Sequence, residues 1–116
     1  MKRIIENIYN DILEISDIKF QEKAWLQNSE NVCSSFTEVM CRLFDDNNFD
    51  LFVDVNAKII GFDSTLISEL EILRRLLNSY KEKNNDSDII QDPKWLVIVA
   101  QAKVVIALWD KIGIYG

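Results

Sequence analysis

The stretch DPKWLVIVAQAKVVIALWDKI, residues 92 to 112, constrains the fold more than any other part of the chain. Asp92 is a good N-cap, and Pro93 suits a first helical position because its missing N–H has no intrahelical partner there. Between Trp95 and Trp109 the only polar side chains are Gln101 and Lys103, which leave a helix from nearly opposite sides. A helix with no broad polar face is predicted to be buried among others. The runs Val97-Ile98-Val99 and Val104-Val105-Ile106 would also suit a hairpin, but Gln101-Ala102-Lys103 between them lacks the Gly, Asn or Asp of a tight turn. Gly113 then fits the position after the helix, and Lys111 the last turn, where the helix dipole favours cations.

The remaining sequence agrees with an all-α fold. Three glycines and one proline in 116 residues leave little punctuation for many short strands, and the length suits one domain, residues 1–116, with a single core. The expected architecture is a single-domain bundle of five or six helices around a buried C-terminal helix. In Arg3 to Ser16, Ile4, Ile5, Ile8, Ile12 and Ile15 form one stripe, with Glu6, Asn7, Asn10, Asp11 and Glu14 on the solvent side. Ser16 or Asp17 can cap a short second helix in which Ile18, Trp25 and Leu26 share a face, and residues 28–34 read as a loop. Ser35-Phe36-Thr37-Glu38 is a capping-box pattern that opens a helix with Phe36, Val39, Met40, Leu43 and Phe44 facing inward. Phe49, Phe52 and Val53 predict one or two further turns, and Gly61 a break after them. Asp63 or Ser64 caps a helix striped by Leu66, Leu70, Leu73, Leu77 and Tyr80, with Glu71 and Arg75 spaced to pair. Residues 84–88, NNDSD, read as a polar linker.

Several function classes are disfavoured. The chain has no histidine, which removes the commonest general base and zinc ligand, and it contains no phosphate-cradling glycine motif. No enzymatic activity and no cofactor are therefore expected. Asp46, Asn48 and Asp50 mimic the first ligands of a calcium loop, but Leu51 stands where a sharp turn needs Gly and Ala57 where a bidentate Glu is needed, so no metal is expected either. The net charge of −6 repels phosphate backbones and anionic membranes and favours basic partners, so direct nucleic-acid or membrane binding is not expected. No apolar run is long enough for a membrane span, and acids and amides interrupt the N-terminal segment where a signal peptide would be apolar, which points to the cytoplasm. Cys33 and Cys41 are then read as free thiols, buried as small apolar residues.

Charge is concentrated in one window. Between Glu38 and Asp63 there are six acids against Arg42 and Lys58, a local net charge of −4 out of the chain's −6. Taken singly these acids read as caps and solvated turn residues. Together with Phe49 and Phe52 they resemble a docking surface, because opposed potentials steer encounter and aromatic side chains anchor interfaces. The candidate partner-binding residues are Asp45, Asp46, Asn48, Phe49, Asp50 and Asp54. The tryptophans Trp25, Trp95 and Trp109 read as core, where each indole N–H needs an acceptor.

KFQEKAWLQ (residues 19–27), SSFTEVMCRLFDDNNFDLFV (34–53) and DPKW (92–95) resemble small acidic immunity proteins of bacterial contact-dependent growth inhibition and related polymorphic toxin systems. The resemblance implies an all-helical cytoplasmic inhibitor that binds the C-terminal toxin domain of a cognate effector, often an RNase or other nuclease. Two other readings use the same surface: a helical adaptor that binds a different host protein, and a DNA mimic, which would call for longer rows of acids.

Overall fold

The computed structural model describes residues 2–26 and 34–112, which form seven helices and no strand. The expected loop at 28–34 lies outside the described residues except for Ser34, as do Cys33 and Gly113. Helix α1 is Lys2–Ile15, and α2 spans residues 18–26. α3 covers 36–46 and α4 covers 49–59. α5 is Ser64–Ser79, α6 is Asp86–Gln91 and α7 is Pro93–Ile112. The Cα radius of gyration is 13.8 Å, against about 13 Å for a compact domain of this size, so the helices enclose one core.

Local chemistry sets most helix starts. Asp17, Ser35, Asp63 and Asn85 each accept a hydrogen bond from the backbone N–H three residues on, at 2.9–3.0 Å. Asp92 caps α7 by accepting from the Lys94 N–H at 3.0 Å. The Asn85 cap turns the expected linker into α6, whose Ile89 and Ile90 are buried. Asn48 opens α4 from the left-handed region, φ 49°, a conformation asparagine tolerates better than most residues. At the far end of α4 the Phe62 N–H reaches Ala57 O and the Gly61 N–H reaches Lys58 O, the paired bonds of a helix end that needs a positive φ, here 97° at Gly61.

Three helices contain a π-helical turn: Glu22–Leu26, Arg42–Asp46 and Phe52–Asn56. A turn closed by bonds five residues apart, as from the Ala57 N–H to Phe52 O, is wider than an α turn and rotates the residues after it onto new faces. Leu26, expected beside Trp25 in the core, is 44% exposed.

The core lies between α7 and the helices packed on one side of it, chiefly α5 and α1. α5 contributes Leu66, Leu70, Leu73 and Leu77, as the stripe predicted, and α1 contributes Ile5, Ile8, Ile12 and Ile15, while Ile4 faces out. Trp25, Phe36, Tyr80 and Trp95 form one aromatic cluster, and Phe52, Phe62, Tyr9 and Trp109 another at the opposite end of α7. Two of the indole N–H groups find acceptors as expected: Trp95 donates to Gln21 Oε1 and Trp25 to Glu14 Oε2, both at 2.9 Å. Burial of α7, however, is one-sided. Trp95, Ile98, Val99, Ala102, Val105, Ile106 and Trp109 are buried, whereas Leu96, Val97, Ala100, Val104 and Ala107 are exposed. The absence of a polar face, which predicted burial all round, instead marks a helix whose outer face is apolar and bare. Cys41 also departs from expectation, being exposed on α3.

Candidate partner-binding face

The six residues singled out in the acidic window do not form one patch. Phe49 is completely buried, in edge contact with Phe44 at 5.5 Å between ring centroids, and Phe52 is completely buried against Trp109. Neither aromatic is available as an anchor, because α4 turns Phe49, Phe52, Val53 and Ala57 inward as its contribution to the core. Asn48 is exposed, but its side chain is engaged in capping α4, accepting from the Leu51 N–H at 3.3 Å. Asp45 and Asp46 are exposed at the end of α3, and Asp46 borders a 290 Å³ cleft shared with Asn10 of α1. Asp50 and Asp54 lie on the other side, toward α5, where Arg74 Nη1 stands 3.6 Å from Asp50 and 2.8 Å from Asp54. Both carboxylates remain more than half exposed, so this triad is a surface feature worth at most about 1 kcal/mol per pair. The expected Glu71–Arg75 pair does not form; on α5 it is Arg74 that carries the ion pairs.

The acidic window nevertheless presents apolar surface. With Phe49, Phe52, Val53 and Ala57 facing in, Leu51, Val55 and Ile59 face out, at exposures of 46%, 43% and 72%. They recur every four residues, and the π-helical turn at Phe52–Asn56 keeps that spacing close to one face. Asp50 and Asp54 each precede a residue of this stripe, and Lys58 is the one cation among its neighbours on α4. Fully buried Phe49 and Phe52 hold this helix, so the stripe and the acids beside it are fixed in place by the core. Of the aromatic residues in the window, the core claims both Phe49 and Phe52, and the exposed apolar residues are aliphatic.

A second, part-buried polar constellation joins α1, α3 and the turn that leads into α4. Arg42 of α3 reaches α1, with Nε 3.1 Å from Asp11 Oδ1 and Nη2 2.6 Å from Glu14 Oε1. Glu14 Oε2 accepts from Trp25 Nε1 at 2.9 Å and from Ser34 Oγ at 2.6 Å. Asn47, in the turn between α3 and α4, donates through Nδ2 to Asp11 Oδ2 at 3.1 Å and to Arg42 O at 2.9 Å, and accepts from Asn7 Nδ2 at 3.3 Å. Asp11 and Glu14, read from sequence as solvent-facing, are in fact turned onto α3, and Asp11 is only 5% exposed. Burial raises the Asp11 carboxyl above the usual carboxylate range, against the pull of Arg42 and Asn47, while the paired carboxylates hold Arg42 above its ordinary value in spite of its own desolvation. Among the described residues no buried side-chain polar atom lacks a partner, and no group of three or more His, Cys, Asp or Glu side chains is placed to hold a metal ion. No described helix is long and apolar enough to cross a membrane.

A third polar contact ties α5 to α7. The Tyr80 hydroxyl donates to Asp92 Oδ2 at 2.8 Å, which lowers the Asp92 carboxyl and, with burial as the larger cause, raises the phenol. It lies in a 450 Å³ cleft with an apolar floor that includes Leu76 and Val97.

Comparison with protein-family models, with curated proteins and with solved structures finds no match to this chain.

Proposed function

We propose that this protein acts by binding, as an immunity protein that occupies a cognate toxin domain through the acidic, apolar face of α4. The observation that carries the reading is the exposed stripe Leu51, Val55, Ile59 with Asp50 and Asp54 beside it; Asp45 and Asp46 add charge at the end of α3. A nuclease toxin presents a basic surface to its phosphate substrate, and such a surface is the natural complement of apolar anchors set among carboxylates. The resemblance of residues 19–27, 34–53 and 92–95 to polymorphic-toxin immunity proteins supports a toxin as the partner, an RNase ahead of a DNase, and supports action in the cytoplasm. The second reading, a helical adaptor for another host protein, uses the same face with a different partner.

The test is binding kinetics with the purified C-terminal toxin domain of a cognate effector, paired with survival of cells expressing that toxin. Asp45→Lys/Asp46→Lys is expected to slow association and flatten its salt dependence, leaving dissociation nearly unchanged, because exposed charges act mainly on encounter. Val55→Asp/Ile59→Asp is expected to speed dissociation at least tenfold, about 1.4 kcal/mol, because central apolar anchors act on the bound state. Folded variants that bind and protect like wild type would move the interface off α4. A wild-type chain that neither binds nor protects would remove immunity itself.

A further inference from the structure

The cleft in which Tyr80 meets Asp92 has a make-up unlike the rest of this acidic chain. Helix α5 ends at Ser79, and Tyr80, the next residue, reaches the start of α7, where its hydroxyl donates to Asp92 Oδ2 at 2.8 Å. The Tyr80 ring packs on Phe36 and Trp95, with centroids 5.8 and 5.4 Å away, so one wall of the cleft is continuous with the core and held by it. The floor is Leu76, Val97 and Ile98, and Lys81, Lys83 and Lys94 stand around it. Glu82 falls between the first two of these lysines but is not part of the lining.

The acid and the cations of the cleft are in different states. Asp92 is 7% exposed and both its oxygens are engaged, Oδ2 by the Tyr80 hydroxyl and Oδ1 by the Lys94 N–H at 3.0 Å. The three lysines are exposed, and none has an ion-pair partner among the described residues. Three cations against one acid leave the lining a surplus of two positive charges, or one when Glu82 is counted, on a chain whose net charge is −6. The volume, 450 Å³, falls within the range of about 300–1,000 Å³ usual for small-molecule sites. We propose that this cleft binds a small amphiphilic carboxylate, with its aliphatic chain on Leu76, Val97 and Ile98 and its charged head among Lys81, Lys83 and Lys94. The ammonium groups are compact charges on flexible stems, which close on a carboxylate without demanding one fixed geometry. Their methylene stems lengthen the apolar floor beneath the head. Selection needs both halves of the ligand: an uncharged chain leaves the cations unpaired, and a small anion without a chain makes only exposed ion pairs, which are weak.

This inference goes beyond the immunity reading. The cleft lies at the Trp95 end of α7, α4 packs at the Trp109 end, and the test uses no toxin, so either reading can fail alone. The experiment titrates the full chain with octanoate, 1-octanol and acetate, followed by calorimetry and by amide shifts in two-dimensional NMR. Octanoate is expected to bind one to one with a dissociation constant of about 1 mM or tighter. Its shifts are expected to centre on Leu76, Tyr80, Lys83, Lys94 and Val97, with 1-octanol and acetate each at least tenfold weaker. Lys81→Gln/Lys83→Gln/Lys94→Gln is expected to weaken octanoate at least tenfold with helical circular dichroism unchanged, and Val97→Asp to do the same by placing a like charge on the floor. If the triple variant fails to fold, Lys81→Gln/Lys83→Gln, which lies outside any helix, takes its place. Octanol binding as tightly as octanoate overturns the proposal, since the site is then an apolar patch without a use for its cations. Acetate binding as tightly as octanoate overturns it too, because the lysines then take any anion and the floor has no part. A wild-type chain that octanoate fails to saturate, shifts centred elsewhere, or folded variants that bind octanoate like wild type each overturn it as well.

Discussion

Replacing Trp109 by alanine is expected to cost roughly 3 to 5 kcal/mol of stability, the range for removing a fully buried aromatic ring. Trp109 is completely buried and is surrounded by Phe52, stacked at 5.9 Å, and by Phe62 and Tyr9, in edge contact at 4.9 and 5.3 Å. These rings come from α1, α4, the α4–α5 connection and α7, so the cavity left by the substitution opens where most of the chain converges. Collapse into that space is difficult because its walls belong to different helices, which puts the cost toward the upper part of the range. In thermal unfolding a loss of about 4 to 5 kcal/mol amounts to a fall of roughly 16 to 40 °C, at about 4–8 °C per kcal/mol for a domain near this size. Val104→Ala, on the same helix but its exposed side, is the control and is expected to shift stability by no more than about 0.5 kcal/mol. A Trp109→Ala protein within about 1 kcal/mol of wild type would mean that the second aromatic cluster does not hold the helices together. The stacked pair can be isolated with Phe52→Ala: the two substitutions together should cost less than the sum of their separate costs, by roughly 0.5 to 1.5 kcal/mol, because the second removes a ring that has already lost its partner.

Which parts of this architecture were legible in the sequence follows from the range over which each signal acts. Helix starts are decided within four residues, and Asp17, Ser35, Asp63 and Asp92 all cap where their positions predicted. The stripe Leu66, Leu70, Leu73, Leu77 is equally local and is buried at each of those positions. Asn85 shows the limit of the method: Asn and Asp favour both turns and caps, and composition alone gave the turn, whereas the two buried isoleucines that follow made the helix. The π-helical turns have no comparable local signature. The outward stripe Leu51, Val55, Ile59 does follow from helical spacing, but an apolar outer stripe carries no sequence mark that separates it from a second buried face. The one-sided exposure of α7 was hidden for the same reason: apolar residues on both faces of a helix look the same whether the second face meets a neighbour in the same chain or none. For the candidate face, the acidic window is legible as a run of charge, while which of its apolar residues face outward depends on how the core divides them.

The interaction least visible in the sequence, Arg42 with Asp11 and Glu14, spans about thirty residues and gives the second large prediction. Arg42→Met keeps an apolar stem in place and removes the charge. At pH 7 this is expected to destabilise the fold by roughly 2 to 4 kcal/mol; removing one partner of a fully buried pair costs about 3 to 5, and the estimate is reduced because the Arg42 side chain is 36% exposed. The cost is concentrated on Asp11, which would be left nearly buried beside Glu14 with Asn47 as its remaining donor. Its carboxyl is already raised by burial in the wild type, and Arg42 supplies the two strongest of the opposing effects, so the variant raises it further. A group that binds its proton more tightly in the folded than in the unfolded chain makes stability fall as pH rises from its ordinary 3.8 toward the raised folded value. Between neutral pH and that window the deficit of Arg42→Met relative to wild type is therefore expected to shrink as pH is lowered and Asp11 takes up a proton. Adding Asp11→Asn should recover part of the loss at pH 7 and abolish most of the difference between the two pH values. Urea unfolding of the three proteins at pH 7 and pH 5 measures all of this. A deficit of the same size at both pH values would show that Arg42 acts through the packing of its stem and the geometry of its hydrogen bonds and not through the charge it opposes to Asp11. Because Asn47 bonds both to Asp11 and to the Arg42 carbonyl, loosening this cluster should also loosen the turn that presents Asp45, Asp46 and the start of α4. Partner association measured on the same variant would then fall even at temperatures where the fold is intact.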